Sequence, residues 1–240
     1  MPDLLRHISR QLHGIATMRD IARDAKLLPI ITAVQDWQGQ RMLVTHEDML
    51  LQPRYAPALH FFVEQVYGPQ DFSQRDQDIA RLVPKLGKYL PTSILVSLRD
   101  ALQLNALSFE LDYAMAYKLR AQDINRQHYA AAYRSCGNQP QRQQQLQLLQ
   151  ALGNHLATAV ATKGISTLLM LSRRPAKKAG LQVLHQFLQH GHKTFKHLGE
   201  ADDFILPIVH REQQLMNALF DPTAANPLPD IPVIIPALEA

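Results

Sequence analysis

Apolar residues recur along this chain every three or four positions, the period of a helix with one buried face. Leu4, Ile8, Leu12 and Ile15 form the first stripe. A second helix is predicted from Pro29, since proline is tolerated in a first turn; Ile30, Val34 and Trp37 share its face, and Gly39 ends or loosens it. Thr45-His-Glu-Asp48 reads as a variant capping box before a short turn. A helix over 54–67 carries Pro57 in its first turn and stops at Gly68-Pro69. Ser73-Gln-Arg-Asp76 opens another, which bears Ile79, Leu82 and Val83 before Pro84 interrupts it.

The longest periodic segment covers 92–120, with Leu95, Leu98, Leu102, Leu107, Leu111, Met115 and Leu119. Asp123 is placed to cap a helix through Tyr133 that Gly137 ends. Leu146, Leu149, Leu152, Leu156 and Val160 carry the pattern to Gly164, and Pro175 marks a break or kink after Ile165–Leu171. Leu181 to Leu198 defines the next helix, closed by Gly199, and a last one covers 202–220 with a bend at Pro207. No internal repeat shows. The prediction is an all-α chain: a single bundle-like domain of about eight helices over 1–220, then an extended, proline-rich tail over 221–240. Ile231, Val233, Ile234 and Ile235 are too apolar to leave in water, so the tail is expected to dock on its own bundle or on a neighbouring subunit.

The segment Phe61–Asp76, FFVEQVYGPQDFSQRD, concentrates chemistry at one helix–helix corner. At 100° per residue Tyr55, Leu59, Phe62 and Val66 share a face, Phe61 lies one step round, and Glu64 falls near His60, Phe61 and Tyr67. A helix apolar around most of its girth is central to a bundle. Glu64 is therefore expected to be partly buried and to need a partner, with Arg54 and Arg75 as the candidates. Two readings follow. In one, Glu64 and Asp71 act as acid and base beside Tyr67 while Arg75 holds an anion. In the other, a buried salt-bridged corner fixes two helices, and this second reading is preferred.

With Arg54-Tyr55 before it and Ile79-Ala-Arg81 after it, this segment resembles the bacterial FFLEELY motif proteins. Phe61, Phe62, Glu64 and Tyr67 fit the motif; Val63, Gln65 and Val66 depart from it. A looser likeness runs over most of the chain, including the Phe195 region and His210-Arg-Glu212. The family's name describes a sequence and states no activity, so the resemblance implies a grouping and no mechanism. The glutamine at 65 implies that a charge there is dispensable.

Composition narrows the picture. The chain has 240 residues, a net charge of +4 and one cysteine, Cys136, so it can form no internal disulfide or thiolate cluster, and a reducing compartment is the natural reading. Cys136, in Tyr-Arg-Ser-Cys-Gly at a helix end, reads as packing rather than nucleophile. No apolar run is long enough to span a membrane, and the N-terminus lacks the pattern of a secretory signal.

His185, His190, His192 and His197 pair on common faces only seven apart, about 10.5 Å along the axis, too far for one metal ion. No metal or cofactor is implied. His210-Arg-Glu212 reads as an isolated charged patch. Arg173, Arg174, Lys177 and Lys178 follow an apolar segment; a solvated connection is the first reading, and anion or membrane-surface contact the second. No phosphate loop, nucleophile elbow or base-stacking pattern is present, and no nucleic acid is expected. These features point to a non-enzymatic helical binding or scaffold protein of the bacterial cytosol. A protein partner or self-association would use the tail. The alternative is an enzyme or small-ligand carrier with a polar pocket at the 61–76 corner.

Overall fold

The computed structural model describes residues 2–69, 72–89 and 91–236, and for 84–89 the helix alone. Eleven α-helices and one π-helical turn make up this part: α1 Pro2–Asp24, α2 Leu28–Thr45, α3 Glu47–Leu50, α4 Ala56–Phe61, the π turn Phe62–Tyr67, α5 Ser73–Tyr89, α6 Thr92–Leu119, α7 Arg126–Cys136, α8 Gln139–Ala161, α9 Ile165–Lys178, α10 Gln182–Lys196 and α11 Asp202–Phe220. The predicted all-α architecture holds, with more and shorter elements than the eight expected. None of the described helices is long and apolar enough to cross a membrane.

The predicted stripes become buried faces, but three of the expected breaks do not occur. Gly39 lies inside α2, where a Cβ would stand 3.1 Å from Val63 Cγ1; its role is to let the π turn approach. Helix α5 runs on through Pro84 and α9 through Pro175. A proline forfeits one backbone bond, and flanking turns that are otherwise complete keep the helix going. Two caps also differ. Asn125, not Asp123, accepts from the backbone N–H groups of Gln127 and His128 at the start of α7. No side chain caps α3, because His46 turns into the core and Asp48 is drawn to Arg211. Gly137, with φ +62°, ends α7 as its position predicts.

Helix α6 is the axis. At 28 residues it is about 42 Å long and contributes to three apolar clusters. At its N-terminal half, Leu95 and Leu102 meet Ile8, Leu12 and Ile15 of α1 and Ile79 and Val83 of α5. In the middle, Leu104 joins Phe61 and Phe62 with Phe195, Phe204, Ile205 and Leu152. The C-terminal third packs on α2, α7 and α11, where Trp37 stacks on Tyr129 with centroids 4.3 Å apart.

The segment after α11 is extended and lies against α7. Ile124 and Ile234 exchange backbone hydrogen bonds of 2.8 and 3.0 Å. Arg126 donates to the Asn226 carbonyl at 2.7 Å and to Asp230 at 3.1 Å. Leu228 is buried, and Ile231 and Ile234 pack on the Trp37 cluster, while Val233 and Ile235 stay exposed.

Candidate functional site

The 61–76 corner is built differently from the expectation. Phe61 and Phe62 both enter the central cluster, Phe61 against Phe187 and Phe195 and Phe62 against Phe195 and Phe204. After Phe61 the backbone widens into the π turn, so the angular positions of 62–67 depart from those of an α-helix. Glu64 consequently points to solvent, its side chain 56 % exposed, and pairs with His60 at 3.1 Å. The predicted buried ion pair of Glu64 with an arginine does not form.

Arg75 instead donates to Asp76 and to the Gln65 carbonyl, both at 3.0 Å, and lies over the Phe72 and Phe187 rings. Arg54 donates to the Leu198 carbonyl at 2.6 Å and reaches Asp203 at 3.4 Å. Asp71 lies outside the described residues. Of the predicted corner residues that are described, Tyr67 alone faces the interior chemistry.

That chemistry begins on α2. Gln35, Gln38 and Arg41 sit three apart, on the side of the helix that meets α6, the π turn and α11. Asp112 of α6, 1 % exposed, receives hydrogen bonds from Gln35 Nε2 at 3.0 Å, Gln38 Nε2 at 2.9 Å and the Tyr67 hydroxyl at 2.9 Å. Burial pushes the Asp112 carboxyl up to about 6, against the opposing pull of the Arg142 charge and the three donors. Burial and the neighbouring Asp112 together raise the Tyr67 hydroxyl well above the usual phenol range, so it stays a donor. Arg142 of α8 is buried and stacks over the Tyr133 ring, 4.4 Å from its centroid.

One turn further along α2, Arg41 forms a buried ion pair with Glu212 of α11, and His46 Nε2 lies 3.1 Å from the same carboxylate oxygen. Burial pushes the Glu212 carboxyl up, but Arg41 and His46 outweigh it and hold the group down at about 2. The sequence reading of His210-Arg-Glu212 as an isolated charged patch is thus overturned. Arg211 reaches Asp48 on the outside, and Glu212 turns inward.

Between these two clusters lies a partly open cavity of about 110 Å³. Gln38, Arg41, Tyr67, Asn105, Ser108, Gln145 and Glu212 form its polar wall; Leu59, Phe62, Leu104, Leu146, Ile205 and Ile208 form the apolar one. Gln145 Nε2 donates to Ser108 Oγ at 2.8 Å. Arg41 Nε and Asn105 Nδ2 are buried without a hydrogen-bond partner. Such orphaned donors are costly in a folded interior.

The basic segment is elsewhere. Arg173, Arg174, Lys177 and Lys178 are exposed on α9. His185 donates to the Leu169 carbonyl at 2.8 Å, His192 lies 3.3 Å from Ser166 Oγ, and His190 packs edge-on against Phe61. Cys136 is half-buried, its Sγ 4.0 Å from Met115 Sδ.

Sequence reasoning passed over Gln38, Arg41, Asp112, Arg142 and Glu212. The usable signal was polar residues inside apolar runs. Gln35, Gln38 and Arg41 interrupt the most apolar short helix, and Asp112 stands between Leu111 and Met115.

Fold and site together define an all-helical protein with a small, mainly apolar cavity carrying a few polar groups, at the junction of six elements. The chain belongs to the family described as Domain of unknown function (DUF8198), which matches residues 17–226 and so takes in every residue of this cavity. No curated protein and no solved structure matches it.

Proposed function

We propose that this chain is a non-enzymatic binding protein of the bacterial cytosol whose ligand is a small, uncharged, amphipathic molecule held in the cavity between α2, α4, the π turn, α6, α8 and α11. The observation that carries this reading is the pair of orphaned donors, Arg41 Nε and Asn105 Nδ2, on a cavity whose opposite wall is Leu59, Phe62, Leu104, Ile205 and Ile208. A small rotation of either side chain would turn its donor to a carbonyl or hydroxyl oxygen of the ligand, and a branched or cyclic apolar body would fill the rest. The ligand is uncharged because Glu212 already matches the Arg41 charge.

Its size follows from the volume. A dry cavity of about 150 Å³ accepts benzene, so 110 Å³ suits roughly four or five non-hydrogen atoms. Binding is favoured over turnover because the carboxyls at the cavity wall and behind it are already engaged. Asp112 is closed by three donors, and Glu212 by Arg41 and His46. On this reading the Phe-Phe-Val-Glu-Gln-Val-Tyr motif is cavity wall, through Phe62, Val66 and Tyr67. The single cysteine supports the reducing compartment.

The test is thermal denaturation against a panel of small neutral amides, lactams and alcohols, with native mass spectrometry of the gently desalted chain. At least one compound should raise the melting temperature of the wild type by several degrees and leave Asn105→Leu unmoved. A chain that carries no adduct and responds to none of the panel overturns the proposal.

A further inference from the structure

Between Asp123 and Glu200 the chain carries ten Lys and Arg and not one Asp or Glu. The rest holds the other fifteen cations against all twenty-one acids, so a modest net charge of +4 conceals a strongly divided molecule. The cationic part includes the hairpin of α9 and α10, where Arg173, Arg174, Lys177, Lys178, Lys193 and Lys196 lie, with Lys163 just before it.

Helix α9 packs mainly against α10, and Ile165 is its single buried residue. His185 and the Ser166–His192 contact hold the two helices together. The opposite side of α9 is uncovered, with Met170 and Leu171 exposed by 66 % and 67 %, and Leu168 is exposed on the flank beside Ile165. Helical spacing arranges these with the cations. Leu168, Leu171 and Pro175 form one stripe, Arg174 and Lys178 border it, and Met170 stands among Arg173, Arg174 and Lys177. Val183, at the start of α10, adds another exposed aliphatic.

We infer that the outer face of α9 docks on an anionic lipid surface, lying in the headgroup plane with Met170 and Leu171 inserted and Arg173, Arg174, Lys177 and Lys178 on the phosphates. Charge complementarity selects this occupant. Four cations within six residues repel a second copy of the same face, and aliphatic side chains in their midst give nothing for bases to stack on. Long Lys and Arg stems let the charges stay at the phosphates while the helix sinks to the acyl boundary. The contact is peripheral, since the helix is about 21 Å long and half of it faces α10.

Flotation of the full chain with vesicles tests this, using phosphatidylglycerol and phosphatidylcholine in equal parts or phosphatidylcholine alone. The chain is expected to float with the anionic vesicles and not with the neutral ones, and salt should release it. Arg174→Glu with Lys178→Glu should weaken binding about twentyfold or more, and Met170→Glu with Leu171→Glu should do likewise. All four positions are exposed, so circular dichroism and melting temperature should stay at wild-type values. Arg10→Glu with Lys118→Glu, remote in sequence from the hairpin, should bind as the wild type.

Absence of anionic-vesicle binding, or equal binding by the α9 variants, overturns the inference. So does an oligomer in solution that Leu171→Glu disperses, or a tighter association with duplex DNA or RNA than with the vesicles. The cavity proposal is independent of this surface, and neither result decides the other.

Discussion

Two buried carboxyls within the same interior are pushed in opposite directions, and the difference lies in what each faces. Asp112 has three neutral donors and the Arg142 charge, which together do not offset burial, so its pKa rises to about 6. Glu212 has Arg41 and His46 in contact, so charge wins and its pKa falls to about 2. Unfolded, the two titrate near 3.9 and 4.3. Between about pH 4 and pH 6 the folded chain keeps a proton on Asp112 that the unfolded chain has lost, so stability falls as pH rises through that window. For Glu212 the stability is present above about pH 4.5 and is lost as pH falls toward 2. The joint contribution therefore peaks near pH 4–5. Asp112→Asn should flatten the melting profile from pH 4 to 7, a change on the order of 1–3 kcal/mol. Glu212→Gln should remove the acid limb and cost about 3–5 kcal/mol at neutral pH by stranding Arg41. Parallel profiles for wild type and Asp112→Asn over pH 4–7 would show that the Asp112 assignment is mistaken.

At the scale of the element, the π turn decides which motif residue matters. Had 54–67 continued as an α-helix, Glu64 would lie toward the core side that the sequence assigned it. The wider turn, admitted by Gly39 on α2, exposes Glu64 and delivers the Tyr67 hydroxyl to Asp112. Glu64→Ala should therefore change stability by less than about 0.5 kcal/mol, the scale of an exposed i,i+4 pair. Tyr67→Phe should cost about 1.5–3 kcal/mol, because it removes a donor from a buried carboxylate. Chemical denaturation of the two variants checks this, and a costlier Glu64→Ala would restore the salt-bridged corner.

The same comparison shows what the sequence made legible. Apolar periodicity located nearly every helix, because burial of a stripe such as Ile8, Leu12 and Ile15 depends on spacing alone. It missed the continuation through Pro84 and Pro175, where neighbouring turns outweigh one lost bond. It could not see the cavity, whose wall draws on Gln38, Asn105, Gln145 and Glu212, residues up to 174 positions apart that only tertiary packing assembles. Phe62, Val66 and Tyr67 are shared between the expected corner and the observed site, and of these Tyr67 brings the polar group.

At the scale of the molecule, the segment after α11 closes the wall behind Trp37. Its contacts are of two kinds. Leu228 is 3 % exposed within the Trp37 cluster, and Ile231 and Ile234 lean on the same cluster. Around them Arg126 binds the Asn226 carbonyl and Asp230, Asn226 Nδ2 returns to the Arg126 carbonyl at 3.1 Å, and Ile234 bridges to Ile124. Burying Leu228 contributes about 1.5–3 kcal/mol and the two half-buried isoleucines somewhat less each. The prolines at 222, 227, 229 and 232 lower the entropy lost in fixing the strand. Truncation after Asp221 is therefore expected to lower the melting temperature by about 5–10 °C, given roughly 2–4 °C per kcal/mol at this size. The mass in solution should not change, because the contacts are made within one chain. Loss of an oligomer on truncation would place the docking between subunits, and an unaltered melting curve would show that Leu228 contributes nothing to the core it enters.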